Sequence, residues 1–89
     1  MRFTWDPAKA EQNALSHGVS FQEATTVFGD PLSGTIPDPD HSVGEERLIT
    51  VGQSSEGQLL VVCHTEQGDT IRVISARRAT SHERKDYKT

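Results

Sequence analysis

The sequence predicts an α+β fold: a short N-terminal strand, two helices, an antiparallel sheet of three to four strands and a C-terminal helix. Three observations carry that expectation. Helix-start signals stand at Asp6-Pro7, at Ser20 with Glu23, and at Thr80 with Glu83. β-Branched and aliphatic residues crowd into three runs between positions 47 and 76, separated by Gly-containing turns. The stretch before them, "PLSGTIPDPDHSVGEE", holds three prolines, two glycines and four acids and reads as exposed loop.

Taken in order, "RFTW" alternates and is aromatic, which suits a short strand. Asp6 offers a carboxylate to free helix N–H groups, and Pro7 suits the first helical position. The first helix then runs to about His17 and stops at Gly18, which tolerates the left-handed conformation of a C-terminal cap. Ser20 and Glu23 have capping-box spacing, and Phe21, Ala24, Val27 and Phe28 form one apolar stripe at helical period. Gly29-Asp30-Pro31 ends that helix, and a short edge strand is expected near Leu32 to Ile36. "RLITVG", "QLLVVCHT" and "TIRVISA" follow as strands, with turns at "QSSEG" and "EQGD". The middle run is apolar on both faces, as a central strand should be. "ATSHERKDYK" closes the chain as a helix, with Thr80 and Glu83 at capping-box spacing.

Eighty-nine residues suffice for one domain, 1–89, and 33% apolar content leaves it a small core. The single Cys63 cannot form an internal disulfide and fits a reducing, cytoplasmic setting. No run approaches the ~20 apolar residues that span a bilayer, so no membrane partner is expected.

The net charge of −4 is unevenly spread. Residues 1 to 46 carry two basic groups against eight acids, whereas residues 71 to 89 carry six against two. A positive patch on an acidic protein suits phosphates or an anionic partner, although Arg84, Lys85 and Lys88 also suit a plain solvated helix. Strict alternation puts Arg72, Ile74 and Ala76 on one strand face and Val73, Ser75 and Arg77 on the other. An arginine does not stay buried unpaired, so Arg72 must emerge on a concave face or meet a carboxylate. Guanidinium forks match phosphate oxygens in pairs, so arginines gathered on one side of the sheet would make an anion site. Equally, Arg47 and Arg72 would serve the fold alone if they pair with Glu45, Glu66 or Asp69.

Other chemistries find little support. The four histidines form no H-x-x-x-H pair, and no metal or cofactor is expected. "DPDH" at 38 to 41 has the ligand types for a cation, but an acidic Pro-rich loop is more commonly just solvated. There is no G-x-G-x-x-G, no phosphate-binding Walker sequence and no serine-nucleophile elbow. Cys63 lies within an apolar run, where a thiol stays protonated.

Three stretches, "FTWDPAKAEQNALSHGVSFQEATTVFGDP", "DPDHSVGEERLITVG" and "IRVISARRATSHERKDY", closely resemble the BrnT toxins of type II toxin–antitoxin systems. The likeness runs from Phe3 to Tyr87. It implies a RelE-like fold and a ribonuclease that blocks translation. It also implies a BrnA-like ribbon-helix-helix antitoxin that neutralises the toxin, contacts DNA for both, and joins it in a heterotetramer.

RNA can be cut without metal when its own 2′-OH attacks the adjacent phosphorus. The protein must hold the phosphate, stabilise the growing charge and move protons. Arg72 and Arg77 are the expected charge stabilisers, with Arg47 a third. His17 is the expected general acid or base, since an imidazole titrates near neutral pH. Many relatives carry Lys-His where this chain has Ser16-His17, which removes one cation. Two alternatives remain: a non-catalytic or weakly active homologue acting mainly within an operon-repressor complex, and a small anion-binding module unrelated to toxins.

Overall fold

The computed structural model describes residues 1–40 and 46–88. Its elements are β1 (Arg2–Thr4), α1 (Pro7–His17), α2 (Phe21–Thr25) running into a 3-10 turn (Thr26–Gly29), β2 (Gly34–Pro37), β3 (Leu48–Gln53), β4 (Leu59–Gln67), β5 (Thr70–Arg78) and α3 (Ser81–Lys88). The caps explain the helix bounds. Asp6 accepts from the Ala8 N–H, and Gly18, at φ 68°, donates to the Ala14 carbonyl. Ser20 accepts from the Glu23 N–H. Glu23 does not complete that box; its carboxylate turns inward to accept from Ser54 Oγ (2.7 Å) and Gln58 Nε2 (2.9 Å). Thr80 and Glu83 form the full reciprocal box at the start of α3.

The strands form one five-stranded sheet in the order β1-β5-β4-β3-β2. Four strands are antiparallel as expected, but β1 joins as a fifth and pairs parallel to β5, so the sheet is mixed. All of α1, α2 and β2–β4 lies between the two paired strands, which supplies the long connection that a parallel pair needs and a hairpin cannot give.

The two faces differ. α1, α2 and the 3-10 turn cover one, where Val19, Phe21, Ala24 and Val27 pack on Leu60, Val62, Val73 and Ala76. Each large side chain fully buried here contributes about 1.5–3 kcal/mol. The other face carries the smaller cluster of Leu59, Val61 and Ala79, flanked by Ile49, Val51 and Tyr87. α3 spans one end of it, and among the described residues no other helix covers it.

The register of β5 corrects the expected alternation. Cys63 pairs with Ser75, but His64 pairs with Val73, so Ile74 is an extra residue in a β-bulge. Faces swap at that point. Paired residues share a face, so Arg72, Ser75 and Arg77 lie on the open side, while Val73, Ala76 and Arg78 lie on the helix side. Beyond β1's last partner, Arg72, β5 has a free edge. Asn13 of α1 closes it at Ala76. Its Oδ1 accepts from the Ala76 N–H (3.1 Å) and its Nδ2 donates to the Ala76 carbonyl (2.8 Å), as a neighbouring peptide would.

Candidate functional site

On the open face, Ile49, Val61 and Cys63 form the floor of a hollow of about 480 Å³, with Ile74 and Ser75 beside them. Arg47 and Arg77 line it together with Asp38 and Asp40. β5 places Arg77 opposite Val61, and Arg47 leads into β3 with its carbonyl bonded to the Asp38 N–H (2.8 Å). Asp38 in turn accepts from the Asp40 N–H (3.0 Å), which tightens the turn after β2. Cys63 is half-buried. Burial raises its thiol pKa above the ordinary value, Asp38 adds to this, and Arg47 opposes it. A thiol in that setting is a poor nucleophile.

Arg77 does not meet the hollow as a bare cation. Its two terminal nitrogens donate to the two Glu83 carboxylate oxygens at 2.8 and 2.9 Å, a fork-to-fork pair. The pair holds the Glu83 carboxyl down at about 2, chiefly through the Arg77 hydrogen bonds, and raises the Arg77 pKa. α3 is fastened at its other end too, where the Tyr87 hydroxyl donates to Asp30. Asp30 also accepts from the Gln53 and Leu32 N–H groups, and its pKa is lowered, first by Tyr87.

The remaining expected residues lie further out. Arg72 is exposed on the open side of β5, below the bulge and outside the lining of the hollow. His17 is not in the hollow either. It lines a separate cleft of about 260 Å³ with Lys9, Gln12, Asn13, Ser16 and Ile74. The bulged Ile74 belongs to both linings, so cleft and hollow adjoin around the free edge of β5. Arg78 faces the helix side, where its Nε donates to Gln58 (2.6 Å). His41 and Glu45 lie outside the described residues. Among the described residues, no group of three His, Cys, Asp or Glu side chains is placed to hold a metal ion. No helix among them is long and apolar enough to cross a membrane.

Sequence reasoning did not anticipate Asp38, Asp40 and Ser75 as lining residues, nor the Glu83 clasp. The clasp had a signal. Capping-box spacing fixed Glu83 in the first turn of α3, a few residues past Arg77, where chain reversal brings the two together.

The model for the family described as "Ribonuclease toxin, BrnT, of type II toxin-antitoxin system" matches residues 5–83. The chain belongs to the BrnT family. Among solved structures, its fold is similar to the 1.1 Å crystal structure of the Brucella abortus ribonuclease toxin BrnT. The TM-score is 0.70 at 23% identity, over 91% of this chain and 99% of the other. No curated protein matches it. Membership makes this a ribonuclease toxin of a type II system, for which an antitoxin partner is implied.

Proposed function

We propose that this BrnT-family chain is a metal-independent, RelE-like endoribonuclease that acts in the cytoplasm and inhibits translation until a BrnA-like ribbon-helix-helix antitoxin neutralises it. The observation that carries this reading is the convergence of Arg47 and Arg77 on one hollow of the open sheet face. An RNA strand rounding the bulge at Ile74 would meet Lys9 and His17 on one side and the arginines on the other. Arg47 and Arg77 would hold the scissile phosphate and neutralise charge as the 2′-oxygen bonds to phosphorus, loses its proton, and the P–O5′ bond breaks to leave a 2′,3′-cyclic phosphate and a protonated 5′-hydroxyl. Arg72, on the same face of β5, would steady a flanking phosphate. His17 would move a proton. The heterotetramer, with DNA contacted only through the antitoxin, follows from the same kinship.

The test is cleavage of a short RNA by the free chain in excess chelator. Activity should persist. Arg47→Ala, Arg77→Ala and His17→Ala should each lower kcat, the arginines by about 10²–10³-fold, as loss of one preorganised donor does. Abolition by chelator, or full activity in Arg47→Ala and Arg77→Ala, would refute the mechanism. The second reading, a weakly active homologue, is favoured by one observation: Glu83 already occupies the end-on fork of Arg77, the edge made by its two terminal nitrogens. Expression of the chain alone separates the two, since growth arrest accompanies only the active form.

A further inference from the structure

The open sheet face exposes more aliphatic surface than a phosphate contact requires. The Arg47 hollow and a second one, also about 480 Å³, share Ile49, Val61 and Arg77, so they form one groove from the turn after β2 to α3. Its floor is Ile49, Val51 and Val61. Its β2 wall is Ile36, with Leu32 beside it, and these two remain 59% and 74% exposed. Apolar side chains grouped along a groove and rimmed by charged residues suit contact with another protein.

Charge indicates what kind of segment covers it. Asp38 and Asp40 stand at one end, Glu83 and Asp86 at the other. Glu83 and Arg77 neutralise one another, which leaves the charges of Asp38, Asp40 and Asp86 against that of Arg47. That balance favours a cationic segment along the groove, while Arg47 and an unclasped Arg77 still offer one foothold to a phosphate. The family supplies a protein partner, the antitoxin.

We propose that this groove is the antitoxin docking site. It takes a segment whose aliphatic side chains fill the floor and whose Lys or Arg side chains meet the acids at both ends. The proposal rests on the ribonuclease reading in one respect: a segment seated here lies over Arg47 and Arg77 and shuts them off from RNA.

The experiment uses the full chain and its BrnA-like antitoxin, with Kd measured by calorimetry. The double variant Leu32→Lys, Ile36→Lys changes two exposed side chains outside the proposed catalytic set. It should bind antitoxin at least 100-fold more weakly, with an unchanged melting temperature and RNA cleavage no lower than wild type. Leu15→Lys, at an 82% exposed position on α1 across the sheet, should bind within threefold of wild type. Asp40→Lys with Asp86→Lys should weaken binding about tenfold at low salt and less at high salt. Wild-type affinity in the Leu32/Ile36 variant, or an equal loss in Leu15→Lys, would overturn the proposal. So would a groove in which RNA binding, and not antitoxin binding, responds to Leu32 and Ile36. If the wild-type chain cleaves no RNA, the ribonuclease reading fails while calorimetry still decides the docking site.

Discussion

Glu83→Gln separates the two roles that Glu83 plays. Gln can still accept from the Thr80 N–H and keep the capping box, but it carries no charge to hold Arg77. The clasp lowers the Glu83 carboxyl from an ordinary 4.5 to about 2. Taken at face value that shift is roughly 3 kcal/mol, at 1.36 per unit. Both side chains keep much of their surface in water, 42% for Arg77 and 30% for Glu83. Solvent screening at such a site leaves a net value of about 1 kcal/mol. Two effects of that size should follow in opposite directions. Stability measured by urea titration should fall by about 1 kcal/mol. Because a phosphate no longer has to displace the carboxylate, kcat/KM for a short RNA should rise about fivefold, the same energy expressed as a ratio. The salt dependence of RNA binding should steepen by close to one counterion, since a further phosphate contact becomes available. A folded Glu83→Gln protein whose kcat/KM is unchanged or lower would refute the assignment of Arg77 to phosphate.

Other expectations concern stability. The Glu83 carboxyl has a folded pKa below its unfolded one, so its contribution is complete above pH 4.5 and is lost as pH falls toward 2; Glu83→Gln should remove that part of the acid limb in a urea–pH series. His64 is wholly buried, edge-on to Phe28 and with its Nε2 within hydrogen-bond distance of the Thr50 hydroxyl (2.7 Å). Burial lowers its pKa, so the unfolded chain takes up a proton that the fold refuses; stability should decline as pH drops below about 6.5, by at most about 1.4 kcal/mol per pH unit. Asn13→Ala strips partners from the Ala76 N–H and from the Val19 and Ala76 carbonyls and should cost about 3 kcal/mol in urea unfolding. A Cβ on Gly52 would sit 2.9 Å from Ser33 Cβ and 3.1 Å from the Val27 carbonyl oxygen, so Gly52→Ala should cost about 1–3 kcal/mol and lower the Tm.

Features set by local chemistry could be read from the chain directly. Asp6-Pro7 and Gly18 bound α1 where the sequence places them, and the turns at Gly57 and Gly68 take the positive φ that glycine tolerates. Features set by long-range pairing could not. Nothing in "RFTW" says that its partner lies some 70 positions away or that the pairing is parallel. The bulge at Ile74 is equally silent, since "RVISAR" reads as an unbroken alternation. That one extra residue brings Arg72 and Arg77 to the same face when strict alternation would separate them, although Arg72 stays outside the hollow. The arginines were visible as residues; their grouping depended on register.

The division of labour between the two faces gives the open side its character. The helix face holds the fully buried Phe21, Leu60, Val62 and Val73, and two of its buried polar side chains have partners, Asn13 at Ala76 and Glu23 at Ser54 and Gln58. Folding energy is concentrated there. On the open face, α3 is fastened mainly by polar contacts at its ends, Arg77 with Glu83 and Tyr87 with Asp30, while Ile36 and Leu32 stay exposed. Substitutions at those exposed positions remove little that the fold needs, so they can alter partner affinity without unfolding the chain. The clasp therefore links three measurable quantities. Opening Arg77–Glu83 loosens α3 and bares a guanidinium for phosphate, and it also leaves Glu83 available to a cationic antitoxin segment. If RNA and antitoxin compete for the two halves of that pair, Glu83→Gln should strengthen RNA binding and weaken antitoxin binding in the same protein. A variant in which both affinities move in the same direction would show that the clasp is only a brace for α3.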